Sequence, residues 1–185
     1  PNKLMKFNAI VGNPPYQVMD GGNKSSAVPI YHEFVRIGKK LTPQHLSLIM
    51  PARWYSGGRN LDDFRAEMLK DRHICKLVDF EDSTECFDGV DIAGGLCYFL
   101  RSEEYRGDCE FVRVSQGATS TSWRNLSSHE TFMRNEKAVS IIEKISAQSE
   151  KYFSSIVSSQ RPFGLRTYVK PMETGDLTLR YNGGK

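Results

Sequence analysis

Apolar and polar positions alternate along this chain in two distinct rhythms. Phe7 to Val11 reads as a buried strand, continuous and apolar as parallel strands are when both sheet faces are covered, and Leu46 to Met50, Ile74 to Phe80 and Ile92 to Leu100 read as further strands. Between them the period lengthens to that of a helix. Ile30, Phe34, Ile37 and Leu41 recur at helical spacing after Pro29, a residue that opens a helix without the loss of a needed N–H. Their stripe is expected in the core. A second helix is predicted after a capping Asn60, with Leu61, Phe64, Met68 and Leu69 buried and Asp62 and Asp63 in its first turn, where carboxylates suit the helix dipole. A third follows Asn135, with Ala138, Ile141, Ile142 and Ile145 on one face, to about Gln148. Cys109 to Val114 is expected as a strand at the edge of the sheet or beyond it. Gln17 to Ser26 and the Ser/Thr-rich Gln116 to Phe132 read as a polar loop and a long surface connection. Strands alternating with helices predict an α/β fold.

Composition changes little in that picture. The 185 residues carry a net charge of +3, which permits a nucleic-acid partner without demanding one. Cys75, Cys86, Cys97 and Cys109 are widely spaced, as are His32, His45, His73 and His129, so neither a disulfide framework nor a metal site is expected. No apolar run is long enough to cross a bilayer and no signal-peptide pattern opens the chain. A cytoplasmic protein with no membrane partner is the expectation.

The first strand stops at Asn13-Pro14-Pro15-Tyr16, and this tetrapeptide suggests chemistry. Two prolines remove donors and fix φ, so the loop is stiff and keeps its carbonyls outside any ladder. In open α/β sheets such a loop, at the carboxyl end of a strand, is where ligands bind. An exocyclic amine on an aromatic ring is a poor nucleophile, because its lone pair is delocalised. Acceptors on its hydrogens, the Asn13 side-chain oxygen and the Pro14 carbonyl, would favour a pyramidal nitrogen and localise that pair. Tyr16 offers a flat face on which a ring removed from its helix can stack. The alternatives are a rigid turn with no chemistry and a proline-tyrosine ligand for a small binding domain.

Phe7 to Tyr16 resembles the catalytic motif of S-adenosylmethionine-dependent amino-methyltransferases, above all the gamma-type adenine-specific DNA methyltransferases of restriction-modification systems. Leu46 to Trp54 with Gly57-Gly58 resembles their next strand and loop, and Phe87 to Leu100 the motif that closes their sheet. The resemblance implies the second half of a Rossmann-like, mostly parallel sheet with helices on both faces and the closing strand antiparallel between the second and third strands named above. It implies S-adenosylmethionine as methyl donor, double-stranded DNA as partner, and an endonuclease domain or subunit as a further one. It implies catalytic roles for Asn13, Pro14, Pro15 and Tyr16, and a second stacking face at Phe87. A buried plug beneath the loop is the alternative for Phe87. The family's aromatic-x-Gly-x-Gly cofactor loop has no counterpart ahead of Asn13. The chain is therefore expected to be an inactive fragment lacking the cofactor half, with Asn13 lining what remains of that site.

Arg53 and Trp54 leave the second strand at the same carboxyl edge and are candidates for the pocket rim. Arg53 could meet a phosphate or pair with a carboxylate, and Trp54 could stack or pack. The acidic stretch from Asp79 to Asp91 is not where a polyanion would be gripped. Residues 1–150 are expected to hold the catalytic part. Residues 151–185, basic and interleaved with Phe163, Tyr168 and Tyr181, are expected to begin a target-recognition domain or to be a solvated linker. Methyl transfer to a protein glutamine or an RNA base, and a non-catalytic DNA- or partner-binding module, are the competing functions.

Overall fold

The computed structural model describes residues 6–19, 27–58 and 60–146. The chain divides into two compact units, 1–136 and 137–185. The first is built on a six-stranded sheet. β1 (Ala9–Gly12) pairs in parallel with β4 (His45–Pro51), and β5 (Ile74–Phe80) in parallel with β7 (Cys109–Ser115). β6 (Leu96–Ser102) lies between β4 and β5, antiparallel to both, and β8 (Ala118–Arg124) forms the far edge antiparallel to β7. Four of the six strands thus share one direction. The expected closing strand takes its expected place. Carboxyl ends of β1, β4, β5 and β7 share one edge, so the segments after Gly12, Pro51 and Phe80 all open on the same side of the sheet.

Strand alternation divides the sheet into two faces. Leu46, Leu48 and Met50 of β4, Leu77 of β5, Cys97 and Phe99 of β6 and Phe111 of β7 point into one core. Helices α1 (Tyr31–Lys40) and α2 (Asp62–Lys70) cover it, with Tyr31, Val35, Phe64 and Met68 buried. Each fully buried aliphatic or aromatic side chain here contributes about 1.5–3 kcal/mol by leaving water. The opposite face carries Ile49, Phe80, Tyr98, Leu100 and Val112, all half-buried. The expectation of helices on both faces is met on one face by the described helices of this unit.

Three local expectations change. The α1 stripe is rotated: Tyr31, Val35 and Gly38 are buried, while Phe34, Ile37 and Leu41 are 39, 53 and 45% exposed. The cause is Gly38, where an added Cβ would stand 2.8 Å from Leu46 Cδ1. A side chain there would require Leu46 to shift, so glycine lets the helix backbone lie close to β4 on that side. Residues read as the start of a loop, Gln17–Met19, form β2, which pairs antiparallel with β3 (Ala27–Pro29). Pro29 therefore ends a strand, and the helix begins at Tyr31. The Ser/Thr-rich connection contains β8, joined to β7 by Gln116 (φ 55) and Gly117 (φ 73). Two consecutive left-handed residues make the tight hairpin turn whose twist matches paired strands, and threonine suits an edge strand. The amphipathic helix expected after Asn135 is α3 (Glu136–Ser146). The expected recognition-domain start, 151–185, lies outside the described residues.

Candidate functional site

The Asn13–Tyr16 loop leaves β1 at the carboxyl edge. Pro14 is buried, Asn13 and Pro15 are exposed, and Tyr16 is half-buried against the core. The Ile30 amide donates to the Tyr16 carbonyl at 3.1 Å, so the β2–β3 ribbon fixes where the loop ends. Burial raises the Tyr16 phenol above its ordinary pKa, with Asn13 opposing the shift. The ring stays neutral at physiological pH.

Across the opening stands the segment between β5 and β6. Its first turn, Ser83–Glu85, is capped by Asp82, whose side chain accepts from the Thr84 amide. Phe87 N–H donates to the Ser83 carbonyl at 2.9 Å, and Val90 N–H to the Phe87 carbonyl at 3.2 Å. Gly95 ends the segment at φ +78, where an added Cβ would lie 2.1 Å from the Phe80 carbonyl oxygen. Close approach of two backbones at this corner excludes a side chain.

Asn13, Tyr16, Phe87, Asp88, Val90 and Ile92 together line one pocket of about 370 Å³. Residues 74 positions apart in the sequence, Asn13 and Phe87, thus meet at a single opening. Phe87 is 37% exposed, so it is a pocket wall and not a plug beneath the loop. On the other side of Asn13 runs an apolar groove of about 360 Å³, lined by Ile10, Gly12, Pro14, Pro15, Phe34, Ile37 and Leu41 among others.

Arg53 is exposed at the carboxyl edge of β4. Trp54 is fully buried, T-shaped against Phe64, with its indole N–H on Cys97 Sγ at 3.3 Å. Of its two readings it takes the packing one, because the turn after Pro51 folds the indole back over the core. Sequence reasoning missed Val90, Ile92 and the buried Ser83. It also missed Arg134, which pairs with Asp79 (Nε to Oδ2 3.0 Å) and donates to the Gly94 carbonyl. Asp79 is completely buried, and desolvation pushes its carboxyl up to about 6 against the pull of Arg134. Glu81 is held by Arg113 and Ser115. The acidic stretch is thus partly internal wiring, as well as solvated loop. Among the described residues no cluster of His, Cys, Asp and Glu could hold a metal ion, and no helix is long and apolar enough to cross a membrane.

The sheet thus brings Asn13 and Tyr16 of the amide-proline-proline-tyrosine loop into one pocket lining with Phe87. Residues 2–87 match the Eco57I restriction-modification methylase family, a similarity in line with the resemblance of the motifs. An uncharacterised adenine-specific methylase of Mycoplasma pneumoniae is 36% identical over 107 residues, covering 56% of this chain and 25% of that protein. The chain therefore spans about a quarter of the length of that relative. Solved structures that resemble it include a type I restriction-modification methyltransferase subunit from Streptococcus thermophilus (12% identity, TM-score 0.45, 82% of this chain and 34% of that one). A putative type I modification subunit from Vibrio vulnificus is similar at 11% identity and TM-score 0.42, over 78% of this chain and 32% of that one.

Proposed function

We propose that this chain is the acceptor-binding part of a site-specific DNA adenine methyltransferase of a restriction-modification system. The observation that carries the reading is the shared pocket of Asn13, Tyr16 and Phe87. Its volume and its two aromatic walls suit one planar base, and a base reaches such a pocket only by leaving the duplex stack. The relative named as adenine-specific supports adenine as that base.

Within the pocket the roles follow from the chemistry of each group. Tyr16 and Phe87 sandwich the ring, a contact worth about 1–3 kcal/mol per stacked base. The Asn13 side-chain oxygen, in the pocket, and the carbonyl of Pro14, the next residue and part of the adjoining groove, would accept the two hydrogens of the exocyclic amine. The two prolines stiffen the backbone that carries both acceptors, which limits the reorganisation needed to stabilise developing positive charge on nitrogen. The neutral Tyr16 phenol adds no competing charge. Arg53 is exposed at the same edge, which supports a contact with a phosphate of the DNA backbone.

S-adenosylmethionine, when bound, supplies an electrophilic sulfonium methyl. The groove beside Asn13 is apolar and has no charged side chain in its lining to grip the ribose or the amino-acid end of that molecule. That groove does not by itself make a donor site. The exposed Val11, Phe34, Ile37 and Leu41 beside β1, an edge strand among the described residues, support reading the chain as one part of a longer enzyme. A restriction subunit or fused endonuclease is a further partner of that enzyme.

The test is methyl transfer from labelled S-adenosylmethionine to bacterial DNA by the full-length parent, beside Asn13→Ala and this chain alone. Label in DNA that is lost with Asn13→Ala is expected, with the isolated chain silent. Transfer to protein or RNA instead would move the assignment to the glutamine- or RNA-directed enzymes, and no transfer at all to a binding module.

A further inference from the structure

One buried serine bonds three of the residues that share the pocket with Tyr16. Ser83 is 1% exposed. Its Oγ–H donates to the Val90 carbonyl at 2.7 Å, and the same oxygen accepts from the Ile92 N–H at 2.8 Å. Its own carbonyl accepts from Phe87 N–H at 2.9 Å and Cys86 N–H at 3.1 Å. Phe87, Val90 and Ile92 are three of the six residues lining the pocket. A single serine therefore ties down all three wall residues, through its side chain for two of them and its backbone for the third.

We infer that Ser83 is the positioning residue of the base pocket: its hydroxyl holds the Val90–Ile92 part of the wall beside Phe87 at the spacing that admits one planar ring against Tyr16. The inference rests on the base-pocket reading above and adds a residue that touches no substrate. The geometry favours this over simple packing. The hydroxyl uses both its donor and its acceptor capacity on the wall, and both partners are main-chain groups, so the contact sets a backbone path and not a side-chain rotamer. Gly94 and Gly95, both at positive φ, follow directly. Without the Ser83 bridge, the segment between Val90 and Gly95 keeps the Gly95 N–H bond to the Ile92 carbonyl at 2.8 Å and the Arg134 contact at Gly94. Its far end stays anchored while the pocket-lining part is released. Removing the hydroxyl should widen the site without unfolding the sheet.

The experiment uses the full-length parent, wild type, Ser83→Ala and the near-isosteric Ser83→Cys, on a duplex containing the site that the wild type methylates. 2-Aminopurine replaces the target adenine in one probe and an abasic nucleotide in another. A wall displaced by about 1 Å costs reactions of this kind about 100-fold. Ser83→Ala should lower kcat/KM by about 10- to 100-fold and lose the 2-aminopurine fluorescence change on binding, while binding the abasic duplex as the wild type does. Ser83→Cys, with a weaker donor, should fall between the two. The inference is overturned if folded Ser83→Ala keeps wild-type kcat/KM and fluorescence, or if Ser83→Cys shows no recovery over Ser83→Ala. It is equally overturned if abasic binding falls in step with transfer, which marks a purely structural serine. If the wild type itself transfers no methyl to adenine, the base-pocket reading fails, an outcome separate from failure of the Ser83 assignment.

Discussion

Phe87 offers the sharpest perturbation of the pocket. The residue is 37% exposed, and of the ~200 Å² that a phenylalanine presents this leaves at most about 75 Å² for a stacked base to cover. At ~25 cal/mol per Å² covering that area is worth about 2 kcal/mol, or roughly 25-fold in kcat/KM. Phe87→Ala removes it and leaves Tyr16 as the one remaining aromatic wall. The buried part of the ring also supports the fold, so Phe87→Trp is the necessary companion: it keeps an aromatic face and should recover most of the lost rate. The assay is kcat/KM for methyl transfer by the full-length parent to bacterial DNA, well below the melting temperature of each variant. The account requires a drop of about 10- to 50-fold for alanine with substantial recovery for tryptophan. Alanine within about threefold of wild type would refute it, as would equal losses for alanine and tryptophan.

Other consequences follow from packing and charge. Gly38→Ala places a methyl 2.8 Å from the buried Leu46 Cδ1 and should lower unfolding stability by about 1–3 kcal/mol through overpacking, read from a denaturant midpoint. Asp79 has its folded pKa raised to about 6 by burial. The folded state thus holds its proton more tightly, and the stability this confers is full below about pH 4 and is lost as pH rises through about 6. Melting scans across that window should show the wild type losing ground relative to Asp79→Asn as pH increases. Asp71 titrates the opposite way: burial would raise its pKa, but Lys39 at 2.7 Å and Arg101 at 3.2 Å hold it below the ordinary value. Its contribution is present above the ordinary carboxylate range and is lost on acidification, and Asp71→Asn should cost about 1–3 kcal/mol at pH 7, seen as a lower melting temperature.

The elements most legible in the sequence were those with long, unambiguous apolar runs. β4, β5 and the antiparallel β6 appear where their patterns put them, though β6 starts at Leu96 instead of Ile92 because Gly94 and Gly95 form a turn. α1 was found but turned about its axis. Two apolar sets lie on that helix, and periodicity cannot choose between them when the decisive residue is Gly38, which has no side chain to count. β8 escaped notice because Thr and Ser serve loops and edge strands alike. The meeting of Asn13 and Tyr16 with Phe87 followed from motif order and is present in the pocket lining. Ser83 could not be read in the same way: a serine in an acidic loop carries no pattern, and its importance arises from burial and from two main-chain partners seven and nine residues on.

The central claim is that the pocket between Asn13, Tyr16 and Phe87 receives an adenine for methylation. Its most direct test is the identity of the modified nucleoside in bacterial DNA treated with the full-length parent and S-adenosylmethionine, resolved by mass spectrometry. N6-methyladenine at a fixed sequence, absent from the Asn13→Ala reaction, is the expected result. Methyl groups on cytosine, or N6-methyladenine that persists undiminished in Asn13→Ala, would contradict the account.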